Sequence, residues 1–161
     1  MKPPAVRHSR QALIDRAVRE YEVLDGLLAR LRLDDWHLPL RRRPDQDPWA
    51  VKDAVVHVTY WKADVGRFAL GQRRPPGERG LGTHAHNRLV YERWKDRPPG
   101  DVLAYHRLVH DEVLAALRTA PESWLSGRDH RPDWPADLDG HLAAHRRLDI
   151  EKALAAAAGR R

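Results

Sequence analysis

The sequence predicts an all-α fold, a bundle of four long helices with an extra short helix between the second and third. Apolar residues recur at three- and four-residue steps in four separate segments, the period of an α-helix that buries one stripe. Proline, glycine and aspartate punctuate the ends of those segments as start and stop signals. Nowhere do apolar and polar residues alternate one by one over the length of a strand.

The first helix starts near Ser9, a good N-cap, and runs to about Leu31. Its stripe is Leu13, Ile14, Ala17, Val18, Tyr21, Leu24, Leu27, Leu28 and Leu31. After the polar loop HLPLRRRPDQ, the segment DPWAVKD opens the second helix. Asp47 is the expected cap and Pro48 takes the first turn, where its missing N–H costs nothing. Ala54, Val58, Trp61, Val65 and Phe68 form its apolar face, and Gly71 closes it. The joint GQRRPPGERGLG leads to a short helix over about His84 to Trp94, ended by DRPPG. The third long helix runs from Asp101, as N-cap, to about Arg118, with Pro121 just beyond. The fourth begins in DWPADLD, capped by Asp133 or Trp134 with Pro135 in its first turn. It continues to about Ala157.

The 161 residues, 1–161, read as one domain. The absence of cysteine removes disulfides, thiolate nucleophiles and thiolate metal ligands, so any metal must be held by histidine or carboxylate. No apolar run approaches the ~20 residues of a membrane span, and the N-terminus lacks the apolar core of a secretory signal. A cytoplasmic protein with no membrane partner is expected. The net charge is +6, and 24 of the 29 basic residues are Arg, a bias that fits a GC-rich genome. These charges are scattered, and the run RRRP at Arg41 to Pro44 falls in a loop, so no dedicated nucleic-acid binding is expected.

The strongest chemical signal is DGHLAAHRRLDI, Asp139 to Ile150. His141 and His145 are i and i+4 neighbours on the face flanked by Leu138 and Leu148. That spacing lets two imidazoles share one metal ion. His106 and His110 repeat it, so the pair alone decides nothing. His57, on the rim of the second helix's stripe, is the candidate third ligand. Three neutral imidazoles plus water or substrate make an open, catalytic-type site. The rival reading has each histidine satisfied separately by a carbonyl or a carboxylate. Asp149, at i+4 from His145, either holds that ring or pairs with Arg146. Asp64, one turn past Trp61 along the rim that carries His57, reads first as a solvent-facing carboxylate, with orientation of a metal ligand or acceptance of a proton as the alternative. Trp61 serves core packing, substrate stacking or both. Asn87 and Tyr91 share one face of the short helix, toward a pocket or toward solvent. His84, His106, His110 and His130 receive no role, and no nucleophile elbow supports Ser/His/Asp catalysis.

The segment DPWAVKDAVVHVTYW resembles the second helix of the DinB/YfiT-like superfamily, where a Trp opens the helix and a His one turn before a large residue binds metal. HLAAHRRLDI is similar to that superfamily's fourth helix, in which Arg follows the second His of HxxxH. The resemblance covers nearly the whole chain. It implies a DinB/YfiT-like four-helix bundle with His57, His141 and His145 as ligands of a divalent metal, zinc or nickel. The superfamily includes thiol-dependent enzymes, such as mycothiol-dependent maleylpyruvate isomerase and bacillithiol or mycothiol S-transferases. It also includes ClbS/DfsB-like proteins, one of which hydrolyses a strained cyclopropane. GLGTHAHNRLVYERWKD is similar to the region where those proteins carry a Trp-Asn pair, with His86 in place of Trp and Asn87 matching. Trp61, His86, Asn87 and Tyr91 are therefore the candidate substrate-binding residues. The resemblance implies a small metal-dependent enzyme that activates water or an external thiol, such as mycothiol, against an electrophilic small molecule, in detoxification or self-resistance. A metal-independent ClbS-like hydrolase and a non-catalytic, ligand-sequestering bundle are the alternatives. Exposed helix faces of such bundles can also pair two copies into a homodimer.

Overall fold

The computed structural model describes residues 7–126 and 131–161, and His130 lies outside them. The regular structure of the described residues is helical. It comprises α1 (Arg10–Leu28), α2 (Val51–Ala69), α3 (Thr83–Trp94), α4 (Pro99–Thr119), α5 (Glu122–Leu125), α6 (Gly140–His145) and α7 (Glu151–Ala158). Short 3-10 turns cover Leu33–His37, Pro76–Glu78 and Ala136–Leu138, and a π-turn over Arg146–Ile150 joins α6 to α7. No strand forms among the described residues, which hold only the isolated bridges Arg7 to Ser126 and Pro39 to Ala50. No helix there is long and apolar enough to cross a membrane.

The chain is arranged around α2, which packs against α3, α4 and α6, while α1 packs against α4 and α6. Every residue from Val51 to Tyr60 is buried, on all sides of the helix. The predicted single stripe is thus too narrow, because α2 has neighbours on several sides. One core joins Val55 and Val58 of α2 to Leu24, Leu28, Trp49, Leu142 and Ile150. Another joins Val65 to Leu13, Ala17, Val109, Leu117 and Leu138. Gly66 permits the close approach of α4: a Cβ there would stand 3.2 Å from Val113 Cγ2 and 3.4 Å from its Cα. Gly71, at φ 71°, turns the chain out of α2 in the left-handed region that favours glycine.

A helix buried all round must partner its polar side chains, since an unpaired buried polar group costs several kcal/mol. Lys52 sends its ammonium to three carbonyls that close α3, Trp94 (3.2 Å), Lys95 (2.5 Å) and Arg97 (2.8 Å). Asp53 turns back to accept from Ala50 N–H at 2.8 Å, and burial raises its pKa. The Tyr60 hydroxyl donates to Glu78 Oε2 at 2.6 Å, and Arg93 also binds Glu78. Lys62 meets His110 Nδ1 of α4 at 3.0 Å, beneath the Tyr21 ring that stacks on both His106 and His110. Asp64 is not the solvent-facing carboxylate that the sequence suggests. It is buried and bound by Arg67 (2.9 Å) and Arg74 (3.0 and 2.9 Å).

Several helix ends differ from expectation. α1 stops at Leu28, because Arg30 and Leu31 N–H bond three residues back and tighten the last turn. α2 starts at Val51 rather than Pro48. Leu40 N–H to Trp49 C=O and Val51 N–H to Leu38 C=O hold the preceding residues extended, and Asp53 caps in place of Asp47. α4 starts at Pro99, which puts Asp101 inside its first turn. The α5 turn has no counterpart among the expected elements. The fourth segment is not one helix from Pro135: Ala136–Leu138 forms a 3-10 turn, Asp139 caps α6, and the π-turn separates α6 from α7. The wider turn also swings Leu148 out to 58% exposure, against its expected inward position, while Ile150 is buried. Phe68 likewise faces outward, covered by Arg74.

The polar burial has two measurable outcomes. Lys52→Met strands three carbonyls at the end of α3 and lowers unfolding free energy by about 2–4 kcal/mol in urea titrations. Burial and the neighbouring Lys62 hold His106 and His110 down at about 4, although Asp25 opposes this for both, and Asp111 for His110. An unfolded chain protonates them near pH 6.5, so the unfolded state takes up more protons between pH 6.5 and 4. Stability therefore falls as pH drops through that window, at about 1.4 kcal/mol per pH unit for each proton. His110→Gln keeps an acceptor for Lys62 but removes one of these protons, so its stability–pH curve is flatter there than the wild type's. Parallel curves would disprove the assignment.

Candidate metal centre

Each candidate ligand arrives by a distinct local route. His57 sits on the second turn of α2, in the stretch that is buried on every side. His141 and His145 stand one turn apart on α6, a six-residue helix too short to hold itself in place. Two arginines pin it to α1. Arg16 clasps Asp139 with two bonds of 2.9 Å and also donates to the carbonyls of Asp133, Trp134 and Pro135. Arg146, just past His145, bonds Glu20 of α1 at 2.7 Å and Glu151 at 2.7 Å. Asp139 also accepts from Gly140 N–H at 2.7 Å and so caps α6.

The three rings form a nearly equilateral triangle, with centroids 4.9 Å (His57 to His141), 4.7 Å (His57 to His145) and 4.8 Å (His141 to His145) apart. Their planes stand at 80°, 71° and 75° to one another, like blades around one axis. One ligand atom from each lies within 4.8 Å of the others, and His57 Nε2 is 3.1 Å from His141 Nε2. Two nitrogens on one tetrahedral zinc stand about 3.3 Å apart at a Zn–N length of ~2.0–2.1 Å. The three histidines can hold a metal ion.

A carboxylate lies behind each ring of α6, and one of the two is bonded to its ring. Asp149 Oδ2 sits 2.5 Å from His145 Nδ1, which leaves Nε2 to face the triangle. Asp137 Oδ1 lies 2.8 Å from His141 Nδ1, though off the line of an N–H there, so that nitrogen has no hydrogen-bond partner. A carboxylate behind each imidazole is the usual support of a histidine ligand, fixing its tautomer and raising its basicity. Asp149 thus serves His145, while Arg146 pairs with glutamates instead. Burial disfavours the protonated form of His57 and His145. Burial, then His145, His141 and Arg42, push His57 down to about 2. Burial also lowers His145, against the opposing pull of Asp149. A neutral imidazole is the form that ligates.

A cleft of about 570 Å³ opens onto this centre, and His57, His145, Trp49, Asn87, Arg42 and Arg88 line it. Asn87 Oδ1 accepts from Trp61 Nε1 at 2.9 Å, so its amide nitrogen is directed elsewhere. His86 is fully enclosed. Its Nε2 meets the Tyr60 hydroxyl at 2.5 Å and Glu78 at 3.6 Å, so it belongs to the polar network behind the cleft wall. Tyr91 is half-buried against the first core. His84 lines the cleft although no motif around it predicts a role.

Three further residues of the centre are not predicted from the sequence. Trp49 packs its ring 4.8 Å from His57 and 6.4 Å from His145. Arg42 stacks on that indole at 4.0 Å, although its run reads as a solvated loop. Asp137 has a legible signal, since Asp137, His141, His145 and Asp149 form an unbroken D-x3-H-x3-H-x3-D ladder.

Asp149→Asn leaves the triangle intact but weakens the support of His145. Zinc affinity, measured in competition with a chromogenic chelator, falls about 10–100-fold. An unchanged affinity would show that the bond at His145 is incidental to ligation. Comparison with protein-family profiles, with curated proteins and with solved structures returned no match.

Proposed function

We propose that the protein is a small metal-dependent enzyme of the DinB/YfiT-like kind, acting on an electrophilic small molecule in detoxification or self-resistance. In this reading α1, α2, α4 and the composite α6–α7 are the four long helices of the bundle, and α3 is the extra short one. The observation that carries it is the triangle of three imidazoles from α2 and α6, facing one another at 4.7–4.9 Å beside a cleft. Histidine-only ligation suits a cysteine-free chain and favours zinc or nickel.

His57, His141 and His145 would hold the ion. When bound, such an ion supplies Lewis acidity that makes water or a thiol nucleophilic at neutral pH. The remaining chemistry belongs to the chain. Asp149 holds the Nδ1 proton of His145 and keeps the other nitrogen's lone pair toward the centre. Trp49 covers one side of His57 and excludes water there. Asn87 presents its amide N–H groups as donors to a substrate oxygen, steadied by Trp61. Any reacting thiol comes from outside, because the chain has none; mycothiol is the candidate that the sequence resemblance suggests.

The test is metal analysis. Protein purified from metal-replete medium carries about one equivalent of zinc or nickel, and His141→Ala loses it while keeping its helical circular dichroism. A wild type that stays metal-free removes this reading. It would leave a metal-independent hydrolase or a sequestering protein, which turnover of a strained-ring electrophile under chelator then separates.

A further inference from the structure

The cleft above the imidazole triangle carries an uneven set of charges. Three arginines line it, Arg42, Arg43 and Arg88, together with Asp45 and Asp47. Arg88 pairs with Asp47 at 3.2 Å and Arg43 with Asp45 at 3.3 Å. Arg42 has no carboxylate within 4.0 Å among the described residues. Its Nε donates to the Asp47 carbonyl at 3.1 Å and its guanidinium lies 4.0 Å from the centre of the Trp49 ring. Those two contacts fix the plane of the fork and leave both terminal Nη groups without an acceptor among the described residues. The same indole packs on His57 at 4.8 Å, so cation and imidazole are neighbours across one ring.

We infer that Arg42 is a specificity residue, receiving a carboxylate of the substrate and directing the rest of that molecule toward the three imidazoles. The position of the reactive end rests on the metal-centred reading above; the carboxylate anchor does not. Two parallel N–H donors in a fixed plane match the two oxygens of a carboxylate. With Arg43 and Arg88 neutralised, the cleft offers one uncompensated positive charge, which suits a monoanion better than a phosphate dianion. The Asn87 amide adds a neutral donor on the same wall. The substrate class is thus a small organic acid bearing its electrophilic carbon away from the carboxylate.

The experiment compares benzoate with benzamide, which has the same shape and no charge. Binding to the full-length protein is read by calorimetry and by the Trp49 indole N–H resonance. The protein is first stripped with chelator, so that a carboxylate has no ion to ligate, and then reloaded with zinc. In the stripped protein benzoate binds about tenfold or more tighter than benzamide, the discrimination expected of a charge-assisted pair. Arg42→Gln abolishes the preference without loss of helical signal, and Arg42→Lys, with the charge but not the fork, keeps a few-fold of it. Arg43→Gln leaves it unchanged. Equal binding of the two probes by the wild type, a preference that survives Arg42→Gln, or an equal loss in Arg43→Gln would overturn the assignment. Failure of zinc to reload, with the benzoate preference intact, would instead sink the metal reading and leave the anchor standing.

Discussion

Burial of α2 on every side is the constraint on which the rest of the structure depends. An amphipathic helix can send its polar residues to water, but α2 has no wet face over its first ten residues. Apart from the Thr59 hydroxyl, which has no hydrogen-bond partner among the described residues, the buried polar side chains of α2 find partners in the protein, and several of those lie on other elements. Lys52 ties down the end of α3, Tyr60 reaches the Pro76–Glu78 turn, Lys62 reaches α4, and His57 reaches α6. Apolar burial brings the helices together without specifying direction, whereas these polar pairs fix which residue faces which. His57 is thus one member of a set whose common rule is satisfaction of a buried polar atom. What distinguishes it is that it is itself an imidazole facing two others, where Lys52 meets carbonyls, Tyr60 a carboxylate and Lys62 a single imidazole.

That difference is what makes the centre chemically interesting. Lysine against carbonyls and aspartate against arginine are closed arrangements with nothing left to bind. Three rings turned edge-on to one another instead bring one ring nitrogen each within 4.8 Å of the others, an arrangement that can hold a metal ion. The short helix α6 holds two of those rings rigidly because Arg16 and Arg146 clamp it to α1 on either side. Positioning of this kind matters for ligation, since a looser support would let the rings separate. Arg146 therefore contributes to the centre while touching none of its imidazoles.

Much of this is legible in the sequence, and the limits have physical causes. The all-helical character follows from apolar spacing, because helical period is a local property. His57, His141 and His145 are legible by rim position, by i to i+4 spacing and by resemblance. Their convergence is not, since it depends on how α2 and α6 pack. The ladder from Asp137 to Asp149 is open to the same spacing argument, although a carboxylate beside basic residues reads equally well as a surface ion pair. Arg42, Trp49 and Asp64 owe their roles to contacts with residues distant in space or to burial that one-sided periodicity underestimates. Asp64 illustrates this: a carboxylate on the rim of a stripe reads as exposed until Arg67 and Arg74 close over it. Helix boundaries depart from expectation where backbone pairing, as at Pro39 and Ala50, overrides capping signals.

The π-turn between α6 and α7 has a consequence for how the gene can vary. Between Arg146 and Ile150 the backbone holds more residues per revolution than an α-helix does. Five residues there turn through about the same angle as four α-helical ones, so deleting one codon would restore ordinary pitch and leave everything downstream on its present face. Ile150 would keep its place in the core and Arg161 its place against Asp35, and both imidazoles upstream would stay where they are. Asp149, however, would slip by one position relative to His145. Surface connections elsewhere in the chain tolerate changes of length; in this stretch the loss of one residue spares the packing and falls instead on the bond between Asp149 and His145.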